Sequence, residues 1–248
     1  MEHSAHFPAL VIRHRNYEEA DQFVTFLTAF HGRVSALAKG VRKLNSKKAG
    51  HLQSFNFVDV QIGKGRGSSW LVTQVTTLES YTNITMSLEK TARAACVLEL
   101  ADKFSLEEVE NPDLFQLTLD TMRRMNYFED VFPVQRYFDL RLFDVAGYRP
   151  QLRTCVKCRK PIQAEAQFIS FEMGGVLCPE CGRMFRDARP ISMKSLKYLR
   201  YYQQQSFQEA AAAGWPQDIR FESERILTAY QTYLLEYKTN SQTFLEKI

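Results

Sequence analysis

The sequence predicts an α+β protein: an N-terminal antiparallel β-barrel of the OB type, followed by an α-helical domain into which a four-cysteine zinc module is inserted. Three observations predict it. Apolar and polar residues alternate at strand period up to about Ser80, the period lengthens to that of a helix after Leu88, and two Cys-x-x-Cys pairs interrupt the helical part.

Five strands are expected first, over Ala9 to His14, Gln22 to Phe30, Val34 to Ala38, Leu52 to Ile62 and Ser68 to Leu78. They are rich in Val, Phe, Leu and Thr, and Val58, Val60 and Ile62 alternate with Asp59 and Gln61. His31-Gly32 reads as a turn, and Gly63 to Gly67 as a hairpin loop. Five short strands without a long helix suit an OB barrel, which often presents a sheet face and loops to oligonucleotides; the pattern alone also admits another five-stranded barrel. Helices follow. Val97, Leu100, Ala101 and Phe104 share one face, and Asn111-Pro112-Asp113 supplies a cap, a first-turn proline and an acidic first turn to the next helix. Val134, Tyr137, Phe138, Leu142 and Val145 form a third stripe, closed by Gly147 and Pro150. Helical spacing returns from Ser192 to Gln204 and from Ile219 to Tyr237, and Phe168 to Phe171 reads as a strand beside the second cysteine pair. The expected parts are residues 1–80 (barrel), 81–150 (first helical part), 151–182 (zinc module) and 183–248 (second helical part).

The cysteines carry the most specific chemistry. Cys155-Val156-Lys157-Cys158 and Cys178-Pro179-Glu180-Cys181, with nineteen residues between the pairs, match two knuckles that bring four thiolates to one structural zinc ion. Gly174, Gly175 and Gly182 offer permissive backbone for such turns. Four protein ligands leave no open position for a reacting water, so catalytic zinc is disfavoured. A redox pair of the thioredoxin kind would need a strand-helix-strand setting, which is missing. The fifth cysteine, Cys96, falls within a helix and is expected in the core.

A net charge of +4 on 248 residues is only mildly basic, but it is unevenly spread. Up to Ser80 there are ten Lys or Arg against six Asp or Glu, whereas Thr85 to Val145 holds seven against twelve, and Arg183 to Arg200 six against one. Such segregation favours polyanion binding, because clustered cations release counterions from phosphates. Lys39, Arg42, Lys43, Lys47 and Lys48 fall within ten residues with no acidic neighbour. Arg33, Lys64 and Arg66 adjoin them in strand or hairpin segments, and these eight are the candidate DNA-binding residues. Phe55, Phe57 and Trp70 are candidates for stacking on bases, against core packing as the simpler role. The cations of Arg183 to Arg200 either extend a nucleic-acid path or are a solvated helix face. No stretch reaches the roughly 18 apolar residues of a membrane span. The start of the chain lacks the blocks of a signal peptide, so a cytoplasmic protein with no membrane role is expected. No P-loop ending follows Gly63 to Gly67, and the five histidines pair with no nucleophile motif, so no enzyme is expected.

Several stretches together resemble the RecO family of bacterial recombination mediators. They are Glu18-Glu19-Ala20-Asp21 running to His31-Gly32-Arg33, then Ala38-Lys39-Gly40-Val41-Arg42-Lys43, then Leu71-Val72. The second half adds Arg141 to Pro150 directly before Cys155, and Gly174-Gly175-Val176-Leu177-Cys178 at the second knuckle. The resemblance implies a protein that binds single- and double-stranded DNA and anneals complementary strands. It implies engagement of the acidic C-terminal tail of the single-stranded DNA-binding protein, and work with RecR to load RecA during repair, in association with the nucleoid. A zinc-ribbon module that binds RNA or serves transcription is the alternative, and a metal-dependent nucleic-acid enzyme the third reading.

Overall fold

The computed structural model of the chain describes residues 4–65 and 69–247. The chain clusters into two compact units, Met1–Glu129 with Phe244–Ile248, and Asp130–Thr243.

In the first unit, β1 (Ser4–Tyr17), β2 (Asp21–Leu27), β3 (Arg33–Ala38), β4 (Phe57–Lys64) and β5 (Trp70–Glu79) close into a barrel in the order β1-β2-β3-β5-β4. Only β3 and β5 pair in parallel, through Ala36 with Trp70 and Leu37 with Leu71. β1 is long enough to serve two neighbours. Its first half pairs with β4 up to Leu10, its second half with β2, and a bulge between Val11 and Arg13 bends it from one to the other. Val58, Val60 and Ile62 point inward with Val11, Val24, Phe26, Ala36 and Val72, as their alternation predicts.

Two strand expectations are corrected. Gln22 to Phe30 ends at Leu27, because Thr28 turns the chain by donating its hydroxyl to the Gly32 carbonyl at 2.9 Å. Gly32 is required there: its φ is +58°, and a Cβ would lie 2.3 Å from the Val109 carbonyl oxygen. Leu52 to Ile62 begins as strand only at Phe57, since residues 41–56 run through successive turns. Val41 and Leu52, both buried, anchor that segment in the barrel core.

The change to helical period after the barrel produces α1 (Thr82–Thr85), α2 (Leu88–Phe104) and α3 (Pro112–Tyr127). Ser87 caps α2 and Asn111 caps α3, the latter accepting the Leu114 N–H at 3.0 Å. Cys96 is fully buried on α2. These helices group with the barrel, although the expected boundary at residue 80 marks the change from strand to helix. Arg33 reaches Asp102 on α2 at 3.1 Å, and the Phe57 ring lies 6.2 Å from that of Phe115 on α3.

The second unit opens with α4 (Phe132–Val145), ending just before Gly147. A three-stranded sheet follows in the order β7-β6-β8, from β6 (Gln167–Ser170), β7 (Gly175–Leu177) and β8 (Arg189–Ile191), with α5 (Pro179–Gly182) between the last two strands. Then come α6 (Met193–Gln204), α7 (Phe207–Ala213) and α8 (Arg220–Leu235), and α9 (Asn240–Leu245) begins in this unit and runs past its end at Thr243. Ser192 caps α6, and Ser206 with Glu209 forms a capping box on α7. The core is aromatic: Tyr202 lies 4.4 Å from Trp215, Phe143 lies 4.8 Å from Tyr230, and Phe171 stacks on Tyr230 at 5.4 Å. Within it, Arg136 and Asp139 form an ion pair at 3.2 Å that is almost completely excluded from water.

Candidate metal centre and nucleic-acid interface

The metal centre is built by two short turns and one small apolar cluster. The first knuckle is a hairpin in which Thr154 bridges Pro161 and the Cys155 N–H donates to the Lys160 carbonyl at 2.9 Å. Its left-handed position is held by Arg159, a non-glycine residue at φ 64°, whereas of the three expected glycines Gly174 takes left-handed backbone, at φ 68°, before the second knuckle. Gly175 and Gly182 instead serve close approach. A Cβ at Gly175 would meet the Gln151 carbonyl at 2.4 Å, and one at Gly182 the Phe168 ring at 2.4 Å. The second knuckle is the first turn of α5, where the Gly182 N–H donates to the Cys178 carbonyl at 2.8 Å. Cys155, Leu177 and Cys181 pack together with Phe168 and Phe185.

All four sulfurs, of Cys155, Cys158, Cys178 and Cys181, lie within 4.8 Å of one another and could hold one metal ion. Their titration suits that role. Burial pushes the Cys155 thiol up, but N–H donation from the Cys158, Cys178 and Lys157 backbone outweighs it and draws the group down to about 6. Burial and the neighbouring thiols push Cys181 up to about 12. Four sulfurs so close cannot all ionise without a cation between them, and a bound metal supplies that charge.

On the barrel, the structure separates the candidate cations into two groups. Arg33 opens the six-residue strand β3 and Lys39 follows its end, so the strand's length separates them, roughly 20 Å of chain. Lys39, Arg42, Lys43 and Lys47 are exposed on the turns after β3. Gly40 anchors this segment by donating its N–H to Asp21 at 2.7 Å, and the Arg42 side chain donates to the Glu19 carbonyl at 3.1 Å. Lys48 is half-buried, its Nζ donating to the Val72 carbonyl at 2.7 Å. Arg33 is engaged internally, by Asp102 and by Glu107 at 3.3 Å. Lys64 is exposed and lies 5.1 Å over the Trp70 ring. Arg66 lies outside the described residues.

Of the stacking candidates, Phe55 is buried at φ 77° in the turn beneath β1 and Phe57 packs on α3, whereas Trp70 borders an open groove. That groove, of about 400 Å³, is also lined by Phe7, Phe30, His31, Arg33 and Lys64. Sequence reasoning missed Phe30, which is 70% exposed. Its position beside the His31-Gly32 turn was the available signal. In the second unit Lys194 is paired with Asp218 at 2.6 Å, whereas Arg183, Arg186, Arg189 and Lys197 are exposed. Among the described residues no helix is long and apolar enough to cross a membrane.

The family models for the N-terminal and C-terminal parts of recombination protein O match residues 1–81 and 86–243. The chain belongs to the RecO family. A relative from Dehalococcoides mccartyi named DNA repair protein RecO is 34% identical over 97% of this chain and 94% of its own length. One of the same name from Roseiflexus sp. is 35% identical over 97% of this chain and 84% of its own. A third, from Caldanaerobacter subterraneus, is 26% identical over 97% and 96%. The RecO family is one of DNA repair proteins, which agrees with a barrel that carries exposed cations and a groove with aromatic walls.

Proposed function

We propose that this chain is a non-enzymatic recombination mediator that binds single- and double-stranded DNA and anneals complementary strands. In the same reading it engages the acidic tail of the single-stranded DNA-binding protein and, with RecR, helps to load RecA onto DNA coated by that protein. It works in the cytoplasm, at the nucleoid. Membership of the RecO family supports the partners. The DNA surface is supported by one observation above all: Lys39, Arg42, Lys43 and Lys47 stand exposed on one anchored segment beside a closed barrel.

Annealing needs no covalent chemistry. Two strands repel through their phosphates, and a basic surface that holds both lowers the repulsion and raises their local concentration. Thiolate zinc suits the metal centre. With Zn–S bonds of about 2.3 Å, a tetrahedron has sulfur–sulfur edges of about 3.8 Å, and Cys158 and Cys178 are already 3.8 Å apart. Four thiolates would hold the ion in a closed shell, where it stiffens the module and activates no water.

Changing Lys39, Arg42 and Lys43 together to Ala tests the reading. Each lost phosphate contact lowers the slope of log affinity against log salt by about 0.7 on single strands, so the triple variant is expected to lose about 2 units of slope. Fluorescence anisotropy across a salt series reads it. Unchanged slope and affinity would place the DNA surface elsewhere, and a clear preference for RNA of equal sequence would favour the RNA-binding alternative.

A further inference from the structure

The first knuckle and α6 carry a group of cations that the barrel leaves unused. The chain enters the knuckle through Arg153 and leaves it at Ile162, whose N–H donates to the Arg153 carbonyl at 3.0 Å. Lys157, Arg159 and Lys160 thus occupy the outer part of a hairpin with Arg153 at its base, and all four are exposed. α6 passes the same base. Its Arg200 donates Nε to the Leu152 carbonyl at 2.5 Å, while Arg153 donates Nη2 to Gln204, one turn further along the helix.

Those two bonds bring a pair of guanidiniums together, and among the described residues neither has a carboxylate partner. The Nη2 of Arg200 is buried with no acceptor. Burial, and then the charge of Arg153, hold the Arg200 guanidinium below its ordinary value. Like charges kept side by side in a partly dry setting cost free energy that an anion would recover. Lys197 stands exposed one turn before Arg200, and with Tyr198 and Tyr201 it borders a recess of about 180 Å³. Cations beside aromatic rings are the composition of a single-strand surface, and the knuckle lysines extend it past the reach of one isolated anion.

We infer that Arg153 and Arg200, with Lys197, form a second phosphate site that takes the backbone of a nucleic-acid strand other than the one on the barrel. This rests on the DNA-binding function proposed above, and it gives annealing what that function requires, two strands on one chain. The hairpin that presents the cations also holds Cys155 and Cys158, so a metal held by the four cysteines would fix their placement.

The test uses the full chain with its metal bound and a single-stranded oligonucleotide tethered to a surface. After the protein binds, a labelled non-complementary strand is offered and its capture measured. Arg153→Glu with Lys197→Glu is expected to cut second-strand capture about tenfold or more, equivalent to about 1.4 kcal/mol. First-strand affinity should stay within about twofold, and the salt slope of second-strand capture should fall by about 1.4 units for two lost contacts. Metal content is measured on the same samples, and Arg153→Gln with Lys197→Gln gives a milder version should the reversed charges disturb folding. Capture undiminished in a variant that keeps its metal overturns the site. Displacement of the second strand by a phosphate-free acidic peptide as readily as by inorganic polyphosphate assigns the pair to carboxylates and overturns it too. A wild-type chain that binds one strand but never a second sinks this inference alone, while one that binds no nucleic acid removes the proposed function with it.

Discussion

Cys155→Ser is expected to abolish metal binding and unfold the two knuckles around the four cysteines. Apparent binding free energies of structural zinc are about 10–16 kcal/mol, as large as the whole stability of a typical domain at about 5–15 kcal/mol. The two knuckles have little else to hold them, whereas the segment between them buries Ile169, Phe171 and Val176 in the core of the second unit. The knuckles' own apolar cluster centres on Cys155, Leu177 and Cys181, two of which are candidate metal ligands, and the strands beside it are three or four residues long. Without the metal, a Cys155 group drawn down to about 6 faces sulfurs within 4.8 Å. Limited proteolysis and thermal melting, with metal content measured in parallel, read the effect. New cleavage sites within residues 153–166 and 178–188, in the variant and in chelated wild type alike, are the expected result. Identical proteolysis and melting after complete metal removal would show that the metal contributes nothing to folding.

The second large effect is expected at Asp139. Its carboxylate meets Arg136 at 3.2 Å and accepts from the Gln231 amide at 2.7 Å, and both members of the ion pair are almost fully buried. Asp139→Ala leaves the buried Arg136 guanidinium with only the partly exposed Glu224, at 3.7 Å, and the face of the Phe132 ring, at 5.1 Å, as compensation. Breaking one side of such a pair costs about 3–5 kcal/mol, which lowers the melting temperature of a domain of this size by on the order of 10 °C or more. Replacing both partners, with Arg136→Met and Asp139→Leu, should be milder because no charge remains stranded. Chemical denaturation of the three proteins checks this. A single variant within about 1 kcal/mol of wild type, or a double variant worse than the single, would mean that the pair is hydrated and not buried.

Local patterns were legible in the sequence and long-range ones were not. The alternation of Val58, Val60 and Ile62, the Asn111 cap with Pro112, and the paired cysteines each encode structure within a few residues, and the chain forms them as expected. The turns over 52–56 read as strand because Leu52 and Phe55 are apolar, yet both are buried in turns, Leu52 in the barrel core, and neither is a strand position. Arg33 looked like a free cation because its partners, Asp102 and Glu107, lie about seventy residues away in the sequence. The juxtaposition of Arg153 and Arg200 was hidden for the same reason, their attachments being to Gln204 and Leu152, 51 and 48 residues off. Phe30 read as the last residue of a strand, whereas it stands exposed in the bend after β2.

The central claim is that this chain pairs complementary strands through exposed cations and without bond chemistry. Its most direct test is the rate at which the metal-loaded protein pairs two complementary single strands, followed by fluorescence quenching across a salt series. The account predicts acceleration at low salt that fades steeply as salt rises and is lost in the Lys39, Arg42, Lys43 triple variant. Pairing no faster than that of the free strands, with the metal confirmed in place, would contradict it.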